Sequence, residues 1–331
     1  MSDTNDQSRG RSDRNLALEL VRVTEAAALS ASVWIGRGDK NSADGAAVDA
    51  MRRAFDSVAI SGTVMIGEGE MDEAPMLYIG EKVGSGGPEV DIAVDPLEGT
   101  SICAKGMPNA IATVAVAEKG GFLHAPDIYM NKIAVGAGLP EGVVDLDATP
   151  EENLRELAKA KGVEVGDLVV CILDRDRHKE MIRACRAAGA RIMLIPDGDV
   201  AGVVACSQPE AGVDMYMGWG GAPEGVLAAA ALRCIGGQIQ GRLLYEDEDQ
   251  RARAKSMGIT DTEKKFTVEE MARGDVMFAA TGVTSGAMLR GVRRTAGSAQ
   301  THSIVMRSKT GTVRYIEGHH NLSRKPGVFV A

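Results

Sequence analysis

The sequence predicts a mixed α/β protein with layered sheets. Helical and strand-like stretches alternate along the 331 residues. Strand after strand empties into a polar, glycine-containing loop, where α/β folds place their sites. Forty glycines supply the tight turns and close backbone approaches that such loops need.

In chain order, residues 16–33 read as a helix with Leu16, Leu20, Val23 and Ala27 on one stripe. Residues 34–41 are glycine-rich and charged and predict a loop. A second helix is expected over about 46–58, with Val48, Met51 and Phe55 inward. A strand over 60–66 opens into Gly67-Glu68-Gly69-Glu70-Met71-Asp72-Glu73. Val90, Ile92 and Val94 then alternate with Asp91 and Ala93 in a strand expected to break at Pro96, which has no N–H. Further strands are predicted at 110–117 and near 128–135. Residues 136–150, rich in Gly, Pro and Asp, predict a boundary. It separates an N-terminal half, 16–145, from a C-terminal half, 146–331, behind a polar flexible tail at 1–15.

The second half opens on a capping box, Thr149-Pro150-Glu151-Glu152, which starts a helix to about 161. A strand at 167–173 ends in Asp174-Arg175-Asp176-Arg177-His178, and the following helix stops at Gly189. Strands at 191–195 and 213–217 end in Pro196-Asp197-Gly198-Asp199 and in a glycine-rich turn before Glu224, where a helix to 235 begins. Beyond 238, strand-like pieces at 276–281, 303–307 and 312–316 surround an acidic helix near 246–257. Thr267-Val268-Glu269-Glu270 is a second capping box.

Composition excludes several classes. A net charge of -9 argues against nucleic-acid binding. Five cysteines without a C-x-x-C pair, a polar N-terminus and no apolar run of membrane length predict a reduced, cytoplasmic protein away from membranes. There is no G-x-x-x-x-G-K-[ST], no G-x-S-x-G and no H-E-x-x-H.

Chemistry concentrates at 90–101. A buried strand delivers Asp95 and Glu98 to a tight turn, followed by Gly99, Thr100 and Ser101 with free backbone N–H groups. Carboxylates suit a hard divalent cation, and turn amides suit phosphate. Asp44, the loop acids Glu68, Glu70 and Asp72, and Glu224 extend the pattern to a carboxylate cage for two or three cations. Each has a plainer explanation: Asp44 caps the helix after it, Glu224 is a first-turn acid favoured by the helix dipole, and 67–73 is a solvated loop. Arg175, Arg177 and His178 form a cationic group suited to a phosphate, or else a solvated helix start with internal ion pairs.

The run Asp95-Pro96-Leu97-Glu98-Gly99-Thr100 matches the D-P-[IL]-[DE]-G-[TS] signature of the lithium-sensitive, metal-dependent phosphatases. Five further segments, at 34–45, 66–75, 125–130, 195–199 and 220–225, are similar to class II fructose-1,6-bisphosphatases, and the resemblance spans about residue 14 to the C-terminus. It implies an α-β-α-β-α sandwich of the sugar-phosphatase type. It implies Asp44, Glu68, Asp95, Glu98 and Glu224 as ligands of two or more Mn²⁺ or Mg²⁺ ions. Glu98, Gly99, Thr100, Ser101, Tyr129, Arg175, Asp176, Arg177, Asp197, Gly198, Asp199 and Gly221 would contact substrate. Lys40, Glu70 and Asp72, with Thr100, would support catalysis. The implied reaction is hydrolysis of fructose 1,6-bisphosphate to fructose 6-phosphate, in gluconeogenesis or the reductive pentose phosphate cycle. Sedoheptulose 1,7-bisphosphate is a second implied substrate, and a homo-oligomer, tetramer before dimer, is the implied assembly. The rivals are a relaxed inositol-phosphate or nucleotide-bisphosphate phosphatase of the same superfamily, and a non-catalytic sugar-phosphate sensor.

Overall fold

The computed structural model describes residues 3–69 and 74–324, with side chains from Asn15 onward. The chain begins with α1 (Asp3–Ala31) and α2 (Lys40–Phe55), then β1 (Ser61–Ile66), β2 (Lys82–Val83) and β3 (Glu89–Glu98). α3 (Thr100–Lys105), β4 (Ile111–Glu118) and β5 (Tyr129–Val135) follow. Next come α4 (Pro150–Lys161), β6 (Val169–Leu173), α5 (Lys179–Ala187), β7 (Arg191–Ile195), α6 (Asp199–Ala205) and β8 (Met215–Gly221). The chain closes with α7 (Ala222–Ile235), β9 (Gln238–Leu244), α8 (Glu248–Ser256), β10 (Phe266–Thr267), α9 (Val268–Met271), β11 (Val276–Gly282), β12 (Arg293–Thr295), β13 (Ser298–Arg307) and β14 (Thr312–Asn321).

Among the described residues the strands form two mixed sheets. The first has the order β12-β13-β11-β4-β3-β1-β2, with β14 paired to β13; the second is β10-β9-β5-β8-β6-β7. The division expected between 16–145 and 146–331 is not the division between sheets. β5 joins the second sheet, and β11 to β14 return to the first.

Period-two alternation explains the layers. Ile92 and Val94 of β3 and Val114 and Val116 of β4 pack with α1 and α2. Ala93, Ala115 and Ala117 face the other way, toward α6 and α7. Met130 and Ala134 of β5 face that same middle layer, while Ile133 and Val135 pack with α4 and α5. Both faces of both sheets are therefore covered, which gives the α-β-α-β-α sandwich. α7 lies in the centre, and its Ala228, Ala229, Ala230 and Ala231 are all buried, as a helix between two sheets requires. No described helix is long and apolar enough to cross a membrane.

Several elements differ from the sequence expectation. β8 runs on to Gly221 through the expected glycine-rich turn, because those residues pair with β5, and β13 starts at Ser298 rather than 303. The backbone of α1 starts at Asp3 rather than 16. α2 starts at Lys40 rather than 46, because Asp39 takes the capping role and accepts from the Ser42 amide at 3.0 Å. Asp44 is thus not a cap and is free for other work. Finally, Pro96 does not end β3. The register with β4 shifts between Asp95 and Glu98, so the proline sits in an irregular stretch where no ladder N–H is needed. The two capping boxes form as expected at Thr149–Glu152 and Thr267–Glu270.

Candidate active site

One cavity of about 300 Å³ gathers Asp44, Glu68, Asp95, Asp127 and Glu224, with Thr100 and Asp197 beside them. Each acid comes from a different segment. Asp44 stands one turn after Lys40 on α2, so the two share a helix face. Glu68 leaves the end of β1, and its amide donates to the Leu77 carbonyl at 3.0 Å. Gly67 is required just before it, since a Cβ there would lie 2.0 Å from that carbonyl oxygen. Asp95 occupies the irregular end of β3 and accepts from the Leu97 amide at 3.1 Å. Glu224 is in the first turn of α7, whose positive end favours a carboxylate.

The acids oppose one another. Burial raises Glu68 to about 8, with Asp44, Glu224 and Asp127 adding to it. Burial, reinforced by Asp199, raises Glu224 to about 7, while Lys132 pulls the other way. Asp95 is held well above the usual carboxylate range, first by burial and then by Glu98, Glu68, Glu224 and Asp44. Glu98 is likewise pushed well up, by burial and then by Asp199. Burial likewise raises Asp44 and Asp197.

The donor set fits a hard divalent cation. Oε2 of Glu98 and Oε2 of Glu224 are buried with no hydrogen-bond partner among the described residues. Such orphaned oxygens are costly unless something charged meets them. The cluster offers oxygen rather than thiolate or imidazole, which suits Mg²⁺ or Mn²⁺. Among the described residues no three such side chains already stand at metal-ligand spacing.

The other expected residues divide. Gly99, Thr100 and Asp197 line the cavity; Glu98 Oε1 accepts from the Val200 amide at 2.8 Å, and its Oε2 is the orphaned oxygen. Gly99 and Gly198 both adopt left-handed φ, 86° and 84°, where a side chain would be strained. Each sits two or three residues after a proline and just before a short helix, and Ser101 is the second residue of the first such helix. Arg175 donates to the Pro196 carbonyl and lies 3.7 Å from Asp197. Arg177 donates to the Trp219 carbonyl at 2.8 Å, and its guanidinium lies 4.7 Å from the Tyr129 ring centre. Asp176 turns outward to Lys179, 2.8 Å away. Asp199 points inward to Lys132 at 2.5 Å. Gly221 precedes α7, where a Cβ would lie 1.8 Å from Glu224 Oε2. Lys40 is exposed at the start of α2. Glu70 and Asp72 lie outside the described residues.

Two participants, Asp127 and Lys132, are absent from the sequence expectation, and a third residue, His178, takes a different role from the expected one. Asp127 lines the cavity; it lies in the resembling segment 125–130, but a lone acid before a strand does not by itself read as a ligand. Lys132 could have been noticed as a lysine inside the otherwise apolar strand β5. His178 was grouped with the arginines as a phosphate cation. It is buried instead, with Nδ1 2.8 Å from the Leu173 carbonyl and Nε2 accepting from the Trp219 amide at 2.8 Å. Burial lowers its pKa, so the neutral ring that accepts from Trp219 is the favoured form.

The family model described as bacterial fructose-1,6-bisphosphatase, glpX-encoded, matches residues 14–320. The chain is 49% identical over 327 residues to fructose-1,6-bisphosphatase 1 class 2 of Escherichia coli K12, covering 94% of this chain and 97% of that one. The class 2 fructose-1,6-bisphosphatase of Shigella flexneri gives the same identity and coverage.

Proposed function

The chain belongs to the bacterial class 2 fructose-1,6-bisphosphatase family, and from that premise we propose that its carboxylate cavity hydrolyses the 1-phosphate of fructose 1,6-bisphosphate, yielding fructose 6-phosphate and phosphate. The observation that carries this reading is the meeting of Asp44, Glu68, Asp95, Glu224 and Thr100 in one cavity. A binding protein would have no use for these four mutually repelling acids, with Asp127 beside them as a fifth.

The family is metal-dependent, and the finer proposal is two or more Mn²⁺ or Mg²⁺ ions held by Asp44, Glu68, Asp95, Glu98 and Glu224. Bound there, they would neutralise phosphate charge and acidify a coordinated water. The remaining work falls to the chain. The Thr100 hydroxyl orients the attacking water and passes on its proton. Amides at Gly99 to Ser101 hold the phosphate being cleaved. Arg175 and Arg177 take the distal phosphate, with Tyr129 beneath the Arg177 guanidinium. Asp197 and Asp199 accept hydrogen bonds from sugar hydroxyls. Sedoheptulose 1,7-bisphosphate as a second substrate, a tetramer and a cytoplasmic location complete the proposal.

Phosphate release with Mn²⁺ and fructose 1,6-bisphosphate tests it. Glu98→Gln and EDTA should each abolish release from a folded protein; activity surviving either one sinks the metal reading. Thr100→Ala should cut turnover far more than substrate binding, and Thr100→Ser should recover part of it. A Ser variant as dead as Ala would remove the hydroxyl from the mechanism. Running sedoheptulose 1,7-bisphosphate in parallel decides the second substrate.

A further inference from the structure

Lys132 is one of the largest fully buried side chains, only 1% exposed. Strand alternation explains its direction. Met130 and Ala134, two residues either side on β5, face the core between the sheets, so Lys132 points there too. A buried ammonium is costly unless it is paired and hydrogen-bonded. Lys132 meets that condition with two partners. Nζ donates to Asp199 Oδ2 at 2.5 Å and to the Gly221 carbonyl at 2.8 Å. The Tyr216 hydroxyl is 3.4 Å from the same Asp199 oxygen.

The surrounding backbone is shaped around this side chain. A Cβ on Gly220 would lie 2.0 Å from Asp199 Oδ2 and 2.9 Å from Lys132 Nζ. A Cβ on Gly225 would lie 3.3 Å from Lys132 Cδ. Glycine at 220 therefore makes the ion pair possible, and glycine at 225 leaves room for the lysine stem. The two partners matter for a second reason. Asp199 opens α6, and Gly221 is the residue from which α7 starts. These elements bring Asp197 and Glu224 to the cavity.

We propose that Lys132 is a positioning residue: its ammonium ties Asp199 at the start of α6 to the Gly221 carbonyl at the start of α7, and so fixes the two walls between which the sugar phosphate binds. The inference rests on the phosphatase reading above. Lys132 touches neither phosphate nor cation in it. Its effect passes through Asp199 and through the start of α7, where it also draws down the Glu224 carboxyl, and that separates it from an ordinary packing residue.

A double-mutant cycle tests this, with fructose 6-phosphate titrated calorimetrically into metal-free protein and KM and kcat for fructose 1,6-bisphosphate measured with Mn²⁺. Lys132→Met should weaken fructose 6-phosphate binding and raise KM by about tenfold or more, with kcat within about threefold. Asp199→Asn should do the same, and the double variant should be no worse than Asp199→Asn alone. Unchanged affinity and KM in folded Lys132→Met, or losses that multiply in the double variant, would overturn the proposal. If the lone carboxylate left by Lys132→Met prevents folding, the double variant, which leaves no lone buried charge, still decides: matching Asp199→Asn supports the role, and a further tenfold loss refutes it. Wild-type protein that releases no phosphate defeats the phosphatase reading. Active wild type with an indifferent Lys132→Met defeats only this inference.

Discussion

Filling the acid cavity with Mn²⁺ should expel protons, and the number can be worked out from the site. Glu68 at about 8 and Glu224 at about 7 both titrate near neutrality. At pH 7 a carboxyl of the first kind is about nine-tenths protonated and one of the second about half, so the pair holds about 1.4 protons. Cation ligands must be ionised, so those protons leave on binding. Asp95 and Glu98, held well above the usual range, can only add to the count. At pH 9 the same two glutamates together retain only about 0.1 proton, and any larger release reports Asp95 and Glu98. Titration calorimetry of Mn²⁺ into the metal-free protein, repeated in buffers of different ionisation enthalpy, gives the number directly. A release above one proton at pH 7, falling by pH 9, is expected. Release near zero at pH 7 would refute the claim that these buried acids share protons in the absence of cations, and with it the argument that they form one cage.

Two further outcomes follow from the same geometry. In EDTA, stability should fall as pH rises. The folded values of Glu68 and Glu224 exceed their ordinary 4.5, so the stability they contribute is full below about 4.5 and is lost as pH rises through about 7 and 8. Melting temperature should therefore drop between about pH 5.5 and 8.5 without metal and recover at the higher pH with Mn²⁺; a metal-free Tm that climbs over that window contradicts the sign. Gly221→Ala should displace Glu224, because the new Cβ would lie 1.8 Å from Glu224 Oε2. Phosphate release should fall by about tenfold or more with circular dichroism unchanged, and full activity would mean that Glu224 can move without consequence.

The acids were legible because short-range chemistry marks them. A strand carrying Asp95 and Glu98 into Gly99 and Thr100 is unusual in any setting, and glycines beside Glu68 and Glu224 announce close approaches. Position on an element was harder to read. Local sequence places the cap of α2 five residues late, because Asp39 and Asp44 offer the same side chain to a helix start and only the fold selects one. Pro96 looked like a strand terminus because a proline forbids a ladder bond, and the bulge that excuses it depends on β4.

The sequence by itself determined which residues could do chemistry, where most helices and strands lie, and which family they belong to. Those signals act over a few residues: side-chain period, capping boxes at Thr149 and Thr267, and turn glycines. The tertiary structure alone decided what meets what. Glu98 reaches the amide of Val200, 102 positions away, and Lys132 reaches Asp199 across 67. β11 to β14 return to complete the first sheet, and Asp127 joins the acids from the turn before β5. Such pairings are set by the packing of two sheets about α7, a balance of burial and desolvation over the whole chain that no local pattern encodes.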